Sequence, residues 1–290
     1  MRFNIIDGET PRTGWAYLDL DHPMIAWLCY RGGIIPASCQ IQMGIPPLSI
    51  WWSRKLRNLN SVSAENEFTL EHVRVTKFPQ KPSRLTGFFH FETAAAAEKA
   101  GSFGISYARP ENLAEIGFDP KANFSVHDAE WITHYGGQQI DLSWMEKYWS
   151  GIACPKSENG PVFEVLTESP GFIYGTEIRE RAFKVVERNS PKSVFTLDLA
   201  RIACEGGFLA GHIAPWMKAI SPEKIQVCYI MKDFNEPSLI SYFRDYTGPK
   251  RFLELPNEMV TLDLTEFYFE LPTDFSRFSQ NCSEVISRLN

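Results

Sequence analysis

The chain has 290 residues, room for one large domain or two modest ones with a sizeable buried core. Hydrophobic residues make up 44% and charged residues 22%, which sets aside wholesale disorder. The 29 Lys and Arg stand against 35 Asp and Glu, a net charge of -6 that excludes a uniformly basic nucleic-acid coat but not a local basic patch.

The opening MRFNIIDGETPRTG lacks the basic stretch and apolar run of a secretory leader, and no window reaches eighteen uninterrupted apolar residues. The expectation is a cytoplasmic chain without a membrane segment. Residues 15–36, WAYLDLDHPMIAWLCYRGGIIP, begin with a short alternating run, pass through Asp21-His22-Pro23 and continue apolar to Gly32-Gly33. This reads as strand, turn, helix and glycine stop. After a loop holding Pro46-Pro47, IWWSRKLRNLN spaces Trp51, Trp52, Leu56 and Leu59 as a short helix, with Arg54, Lys55 and Arg57 on a basic face.

Leu70, His72 and Arg74 then form a short alternating run ahead of a turn at 79–82. LTGFFHF reads as a strand and Thr93 as the N-cap of an alanine-rich helix. FGISYA, after Gly101, predicts a further strand ended by Pro110, and the next thirty or so positions read as loop although they hold Trp131, Trp144 and Trp149. Residues 161–187 predict a strand, a Ser169-Pro170-Gly171 turn, a second strand and a charged helix. Past Ser190-Pro191, SVFTLDLARIACEGGFLAGHIAPWMKAI reads as helical with a glycine interruption, KIQVCYIM and EMVTLDLTEFYFELP as strands, and 274–290 as a terminal helix. The change of pattern divides the chain softly into 1–190 and a C-terminal α/β extension, 191–290.

The six cysteines, Cys29, Cys39, Cys154, Cys204, Cys228 and Cys282, include no C-x-x-C pair, and the six histidines are dispersed, so no metal is expected. P-loop, dinucleotide-fold, serine-elbow, zincin and zinc-deaminase motifs are all missing. The 13% aromatic content favours a cleft lined with flat rings.

Three blocks in order are similar to the ADP-ribosyltransferase family. Residues 15–36 resemble its first strand-turn-helix unit, residues 82–101 (PSRLTGFFHFETAAAAEKAG) its aromatic strand and following helix, and residues 161–175 (PVFEVLTESPGFIYG) its glutamate-bearing strand. More narrowly, VRVTKFPQKPSRLTGFF within 71–97, YWSG at Tyr148 to Gly151 and the later EVL resemble a little-characterised bacterial branch of that family. The resemblance implies an α+β fold: an ADP-ribosyltransferase-like split β-sandwich with flanking helices, spanning roughly 15–185, with NAD as co-substrate. It also implies that Glu164 is catalytic. Two features depart from the family: Leu18 stands where the adenosine-ribose contact is expected, and Val162 stands where an arginine-specific enzyme carries a second carboxylate.

The chemistry suits these residue types. Breaking the nicotinamide–ribose bond builds positive charge on the sugar, and a fixed carboxylate stabilises that oxocarbenium-like state. In the strand, Phe163 and Val165 are expected to face away from Glu164 into a core. A planar guanidinium suits a pyrophosphate, which makes Arg84 the expected anion ligand and Thr86 its hydroxyl helper. Tyr17 and Phe89 are expected to flank the nicotinamide, and Trp149 to close the pocket. With no arginine-specific pair, a nucleic-acid acceptor is favoured, with Trp51-Trp52 and Arg54 to Arg57 as a stacking and phosphate surface. Such an activity free in a bacterial cytoplasm would be toxic, so the expectation is a toxin or phage-defence effector restrained by an antitoxin-like partner. The alternatives are a protein acceptor, or a catalytically inactive NAD- or partner-binding module of the same fold. Residues 191–290 could serve as scaffold or as the acceptor surface.

Overall fold

Pro23 and Gly32 bracket the first helix of the computed structural model, which describes residues 10–37, 48–57, 61–102, 107–157, 159–221, 224–252 and 258–272. The predicted tail helix, Cys39, Pro46-Pro47, Leu59, Cys282 and positions 103–106 of FGISYA lie outside these residues. Strand β1 (Arg12–Tyr17) leads into α1 (Pro23–Arg31), where proline in the first turn forfeits no helical bond. Gly32, at φ 96°, takes the left-handed cap conformation, and β2 (Gly33–Ile34) follows at once. Helix α2 (Ile50–Leu56) is capped by Ser49, whose hydroxyl accepts from the Trp52 amide at 3.2 Å.

The alternating run at Leu70, His72 and Arg74 is not extended but lies inside the 17-residue helix α3 (Ser61–Lys77). Its buried residues, Asn66, Glu67, Phe68, Leu70, Glu71, Val73 and Val75, mix polar with apolar side chains, so hydropathy blurs the helical period. Strand β3 (Phe88–His90) and α4 (Ala94–Gly101) follow as expected, with Thr93 Oγ1 accepting from the Ala96 amide at 3.1 Å. The span expected as loop instead holds β4 (Leu113–Phe118), β5 (Phe124–Asp128), α5 (Glu130–Tyr135) and α6 (Leu142–Trp149). Ser125, His127 and Asp128 are buried in β5 where apolar residues would have marked a strand.

Strands β6 (Phe163–Thr167) and β7 (Gly171–Ile173) and helix α7 (Thr176–Asn189) match the expectation. The predicted long helix beyond Ser193 is shorter: α8 (Val194–Glu205) stops at a glycine turn, with Gly207 and Gly211 at positive φ, and the rest becomes β8 (Ile213–Ser221). It pairs with β9 (Lys224–Met231). Helix α9 (Pro237–Asp245) was not foreseen, and only the end of EMVTLDLTEFYFELP is extended, as β10 (Phe269–Pro272).

The protein is therefore α+β, with three antiparallel sheets among the described residues in the orders β1-β4-β7-β2, β3-β6-β5 and β10-β9-β8. A bridge between Trp15 and Phe91 joins the first two. Residues on both sides of Ser190 share the larger core: Trp27 and Leu28 of α1, Phe183 of α7, Leu197 and Ala200 of α8, and Ile213 and Val227 of the β8-β9 hairpin. A second core gathers Leu70, Val73, Trp131, Trp144, Met145, Tyr148, Trp149 and Leu166. The β3-β6-β5 sheet lies between the two, Phe88 facing the larger core and Leu166 the second. Among the described residues no helix is long and apolar enough to cross a membrane.

Candidate active site

Glu164 sits in the middle strand of the three-stranded sheet, directly opposite His127 of β5, so both side chains occupy the face covered by α3 and α6. The sheet register is fastened beside it by buried Asp128, which accepts from the amides of Cys154 at 2.7 Å, Val162 at 2.9 Å and Glu130 at 3.2 Å. Arg84 is delivered to the same face by the turn that returns from α3. Arg74 ties that turn back to the helix, pairing with Glu71 at 2.8 Å and donating to the Lys81 carbonyl at 2.8 Å.

The groups meet closely. Arg84 Nη1 and Tyr148 Oη (2.8 Å) both donate to Glu164 Oε1, and Arg84 Nη1 also donates to Tyr148 Oη at 2.7 Å. On its other side the guanidinium grips Glu67, Nε to Oε2 at 3.0 Å and Nη2 to Oε1 at 3.3 Å. Lys55 Nζ reaches the same Glu67 Oε1 at 3.0 Å. Arg84 lies 5.0 Å from the Phe89 ring centroid and 5.3 Å from that of Tyr148. Two cations and two carboxylates therefore balance in a site where Arg84 is 4%, Glu67 4% and Glu164 9% exposed. Burying such ions costs several kcal/mol each unless every partner is present, which makes the cluster a candidate site rather than a stability device.

Burial alone would raise Glu67, but Arg84 and Lys55 hold it down at about 2. Burial opposes the charge on Arg84, yet Glu164 and Glu67 keep it well above its ordinary value. Burial, reinforced by Glu164, pushes the Tyr148 phenol well up, so it remains a neutral donor. His127 is depressed to about 3, chiefly by burial. Its Nδ1 lies 2.8 Å from the Tyr148 carbonyl, which can only accept, so Nδ1 carries the proton and Nε2, 2.7 Å from Ser125 Oγ, accepts. The imidazole stacks on the Tyr148 ring at 4.6 Å.

Of the predicted residues, the fold brings Glu164, Arg84 and Phe89 together. Thr86 is buried in the turn between Arg84 and β3. Trp149 is fully interior, its indole donating to the Leu70 carbonyl at 2.7 Å and its ring edge-on to His127, so it forms a wall of the second core. Tyr17 lies in the four-stranded sheet against Gly101 rather than in the sheet of Glu164. Trp52 is buried and Trp51 packs on Phe88 at 4.3 Å, so the tryptophan pair turns inward instead of offering a stacking surface. Val165 is buried as expected, but Phe163, at the first position of β6, is 38% exposed. Glu67, Tyr148 and His127 were not foreseen. Tyr148 lay within the YWSG element already singled out, while Glu67 and His127 needed α3 and β5 to be recognised.

Four of the five Arg84 N–H groups are used by protein, so a pyrophosphate could be gripped by two of them only by displacing Glu67, Glu164 or Tyr148. Glu164, by contrast, takes both bonds on Oε1, and its Oε2 receives none from the described residues. An oxygen so presented fits a sugar hydroxyl. Among the described residues no group of three His, Cys, Asp or Glu could hold a metal ion.

Two expected results follow from this packing. A Cβ on Gly87 would lie 2.6 Å from the Ser83 carbonyl and 3.2 Å from that of Thr167, both backbone, in the turn that carries Arg84. Gly87→Ala should cost about 1–3 kcal/mol in urea denaturation; an unchanged midpoint would mean the turn has slack. Acid should also destabilise the fold. His127 near 3 and His90, held near 4 by burial, both have folded values below 6.5. As pH falls below 6.5 the unfolded chain takes up protons that the folded one refuses, and stability drops. Between pH 7 and 5 the two should remove roughly 4 kcal/mol, about 2 each. Glu67 adds the same sign below its unfolded value near 4.5, whereas Glu71, pushed up by burial, works in the opposite sense. Buried His212, also lowered well below its ordinary value chiefly by burial, adds to the drop with the same sign. Urea midpoints of wild type and His127→Gln at pH 7 and 5 check this, since the variant should lose about 2 kcal/mol of the drop.

No protein-family profile matches the chain, and no curated protein matches it in sequence.

Proposed function

We propose that the chain is an NAD-dependent ADP-ribosyltransferase of the split β-sandwich type, with Glu164 as the carboxylate that stabilises the cationic sugar. The observation supporting this is convergence. The 71–97 run, the YWSG element and the EVL strand are far apart in sequence, yet they supply Arg84, Tyr148 and Glu164 to bonds around one carboxylate oxygen. In this reading the bond between nicotinamide and ribose breaks with its electron pair leaving on the base. Glu164 Oε2 accepts from a ribose hydroxyl and faces the developing charge from a site shielded from water. The acceptor nucleophile then attacks the ribose carbon and releases its proton to solvent. Pyrophosphate recognition falls to other groups, because Arg84 is committed to protein carboxylates.

Nucleic acid is the acceptor we favour, since Val162 removes the second carboxylate used on arginine. Such an activity would require restraint in a cell, which fits a toxin or phage-defence effector with an inhibitory partner. Purified protein with labelled NAD and separate RNA, DNA and protein fractions tests the proposal. Nicotinamide release with label in RNA or DNA is expected; label in protein moves the acceptor, and no release with any fraction overturns the activity. The commitment of Arg84 also favours a second reading, a binding module that does not turn NAD over. Binding heat on NAD titration with no nicotinamide released would support it.

A further inference from the structure

We propose that Glu67 and Tyr148 are positioning residues for Glu164, acting through Arg84 and on the carboxylate itself so that Oε1 is locked and Oε2 is presented to the ligand; as a catalytic device this rests on the reading above. An arginine held by one carboxylate still swivels about its last bonds. Arg84 cannot, because Glu67 takes the edge formed by Nε and Nη2 and thereby aims Nη1 at Glu164 and Tyr148. Phe89 and the Tyr148 ring hold the guanidinium against turning out of its plane. Lys55 braces Glu67 from the solvent side, at 42% side-chain exposure against 4% for Glu67.

Tyr148 supplies the second fixed point. It is wholly buried, stacks on His127, accepts from Arg84 and donates to Glu164 at 2.8 Å. Two donors of different origin, one from the turn before β3 and one from α6, therefore converge on the same oxygen. With Oε1 saturated from two directions, the carboxylate has one orientation and Oε2 one outlook. Glu67 contributes no atom to that outlook; its effect passes entirely through the guanidinium. A group that only held the fold would matter equally whether or not position 164 carries a carboxylate, and this difference is measurable.

The test uses the full chain with Glu67→Gln, Tyr148→Phe and each combined with Glu164→Gln. Nicotinamide release should fall about 10- to 100-fold in kcat for either single variant, with KM for NAD changed by less than about threefold. In the Glu164→Gln background neither substitution should lower the residual rate further. Equal losses in both backgrounds, or a KM effect without a kcat effect, overturn the proposal. A readout independent of NAD comes from arginine labelled with nitrogen-15, Arg84 being assigned by the signals lost in Arg84→Lys. Its Nη protons should resonate separately in wild type and merge in Glu67→Gln; separate signals in that variant show that Glu67 does not fix Arg84. If wild type releases no nicotinamide but the signals merge, the positioning stands and the catalytic reading falls. Should Glu67→Gln fail to fold, Tyr148→Phe decides through its kcat in the two backgrounds, having lost only a hydroxyl.

Discussion

Glu164→Gln should lower nicotinamide release from NAD by about 100- to 1,000-fold, the range seen when one electrostatic stabiliser of a transition state is removed. The substitution is nearly isosteric. The amide oxygen can still accept from Arg84 and Tyr148, and Arg84 keeps its fork on Glu67, so the site loses one charge rather than its framework. Leaving Arg84 with one carboxylate in place of two costs stability, and about 1–3 kcal/mol is expected because the remaining pair is intact. Circular dichroism and a urea titration separate that cost from lost chemistry. KM for NAD should move little, since the amide nitrogen that takes the place of Oε2 can donate to the oxygen of a sugar hydroxyl, while kcat carries the loss. Turnover equal to wild type in a folded variant would remove Glu164 from the mechanism.

What could be read from the residues alone was local. The first strand, turn and helix were legible because Pro23 and Gly32 punctuate α1, and the β6-β7-α7 unit because Ser169-Pro170-Gly171 breaks two apolar runs. Glu164 and Arg84 were legible as residue types in suggestive blocks. Their contact was not, because it depends on α3, whose buried stripe carries Asn66, Glu67 and Glu71. Hydropathy assigns such residues to solvent. Glu67 is tolerated inside because Arg84, 17 positions later, and Lys55, 12 positions earlier, arrive beside it, Glu71 because Arg74 pairs with it, and Asn66 because its amide donates to the carbonyls of Gly136 and Gln138. The same holds for His127, which is interior because Tyr148 and Ser125 satisfy both ring nitrogens. Arg84 illustrates the opposite error. A guanidinium near a proposed dinucleotide site reads as a phosphate ligand until its donors are counted.

Ending the chain after Ser190 should abolish cooperative folding, because α1 is finished by groups from beyond that point. Arg31, at the end of α1, is fully buried, and among the described residues no carboxylate pairs with it. Its charge is satisfied by three carbonyls, Phe208 at 2.6 Å, Gly33 at 2.9 Å and Ala210 at 3.1 Å, two of which the truncation deletes. Trp27 would lose its indole bond to Gly211 at 2.8 Å, and Tyr30 its contacts with Asp198 at 3.0 Å and Arg251 at 2.6 Å. Leu197, Ala200, Ile213 and Val227 leave the larger core at the same time, baring the faces of Trp27 and Leu28. Each large buried side chain contributes about 1.5–3 kcal/mol, and an arginine stripped of its acceptors in the interior costs several more. A typical domain has only about 5–15 kcal/mol in reserve. Residues 1–190 made alone should therefore show no cooperative thermal transition and little amide protection in α1, while the full chain shows both. A sharp melt of the shorter chain within a few degrees of the longer one would mean that α1 closes its own core and that Arg31 finds other acceptors.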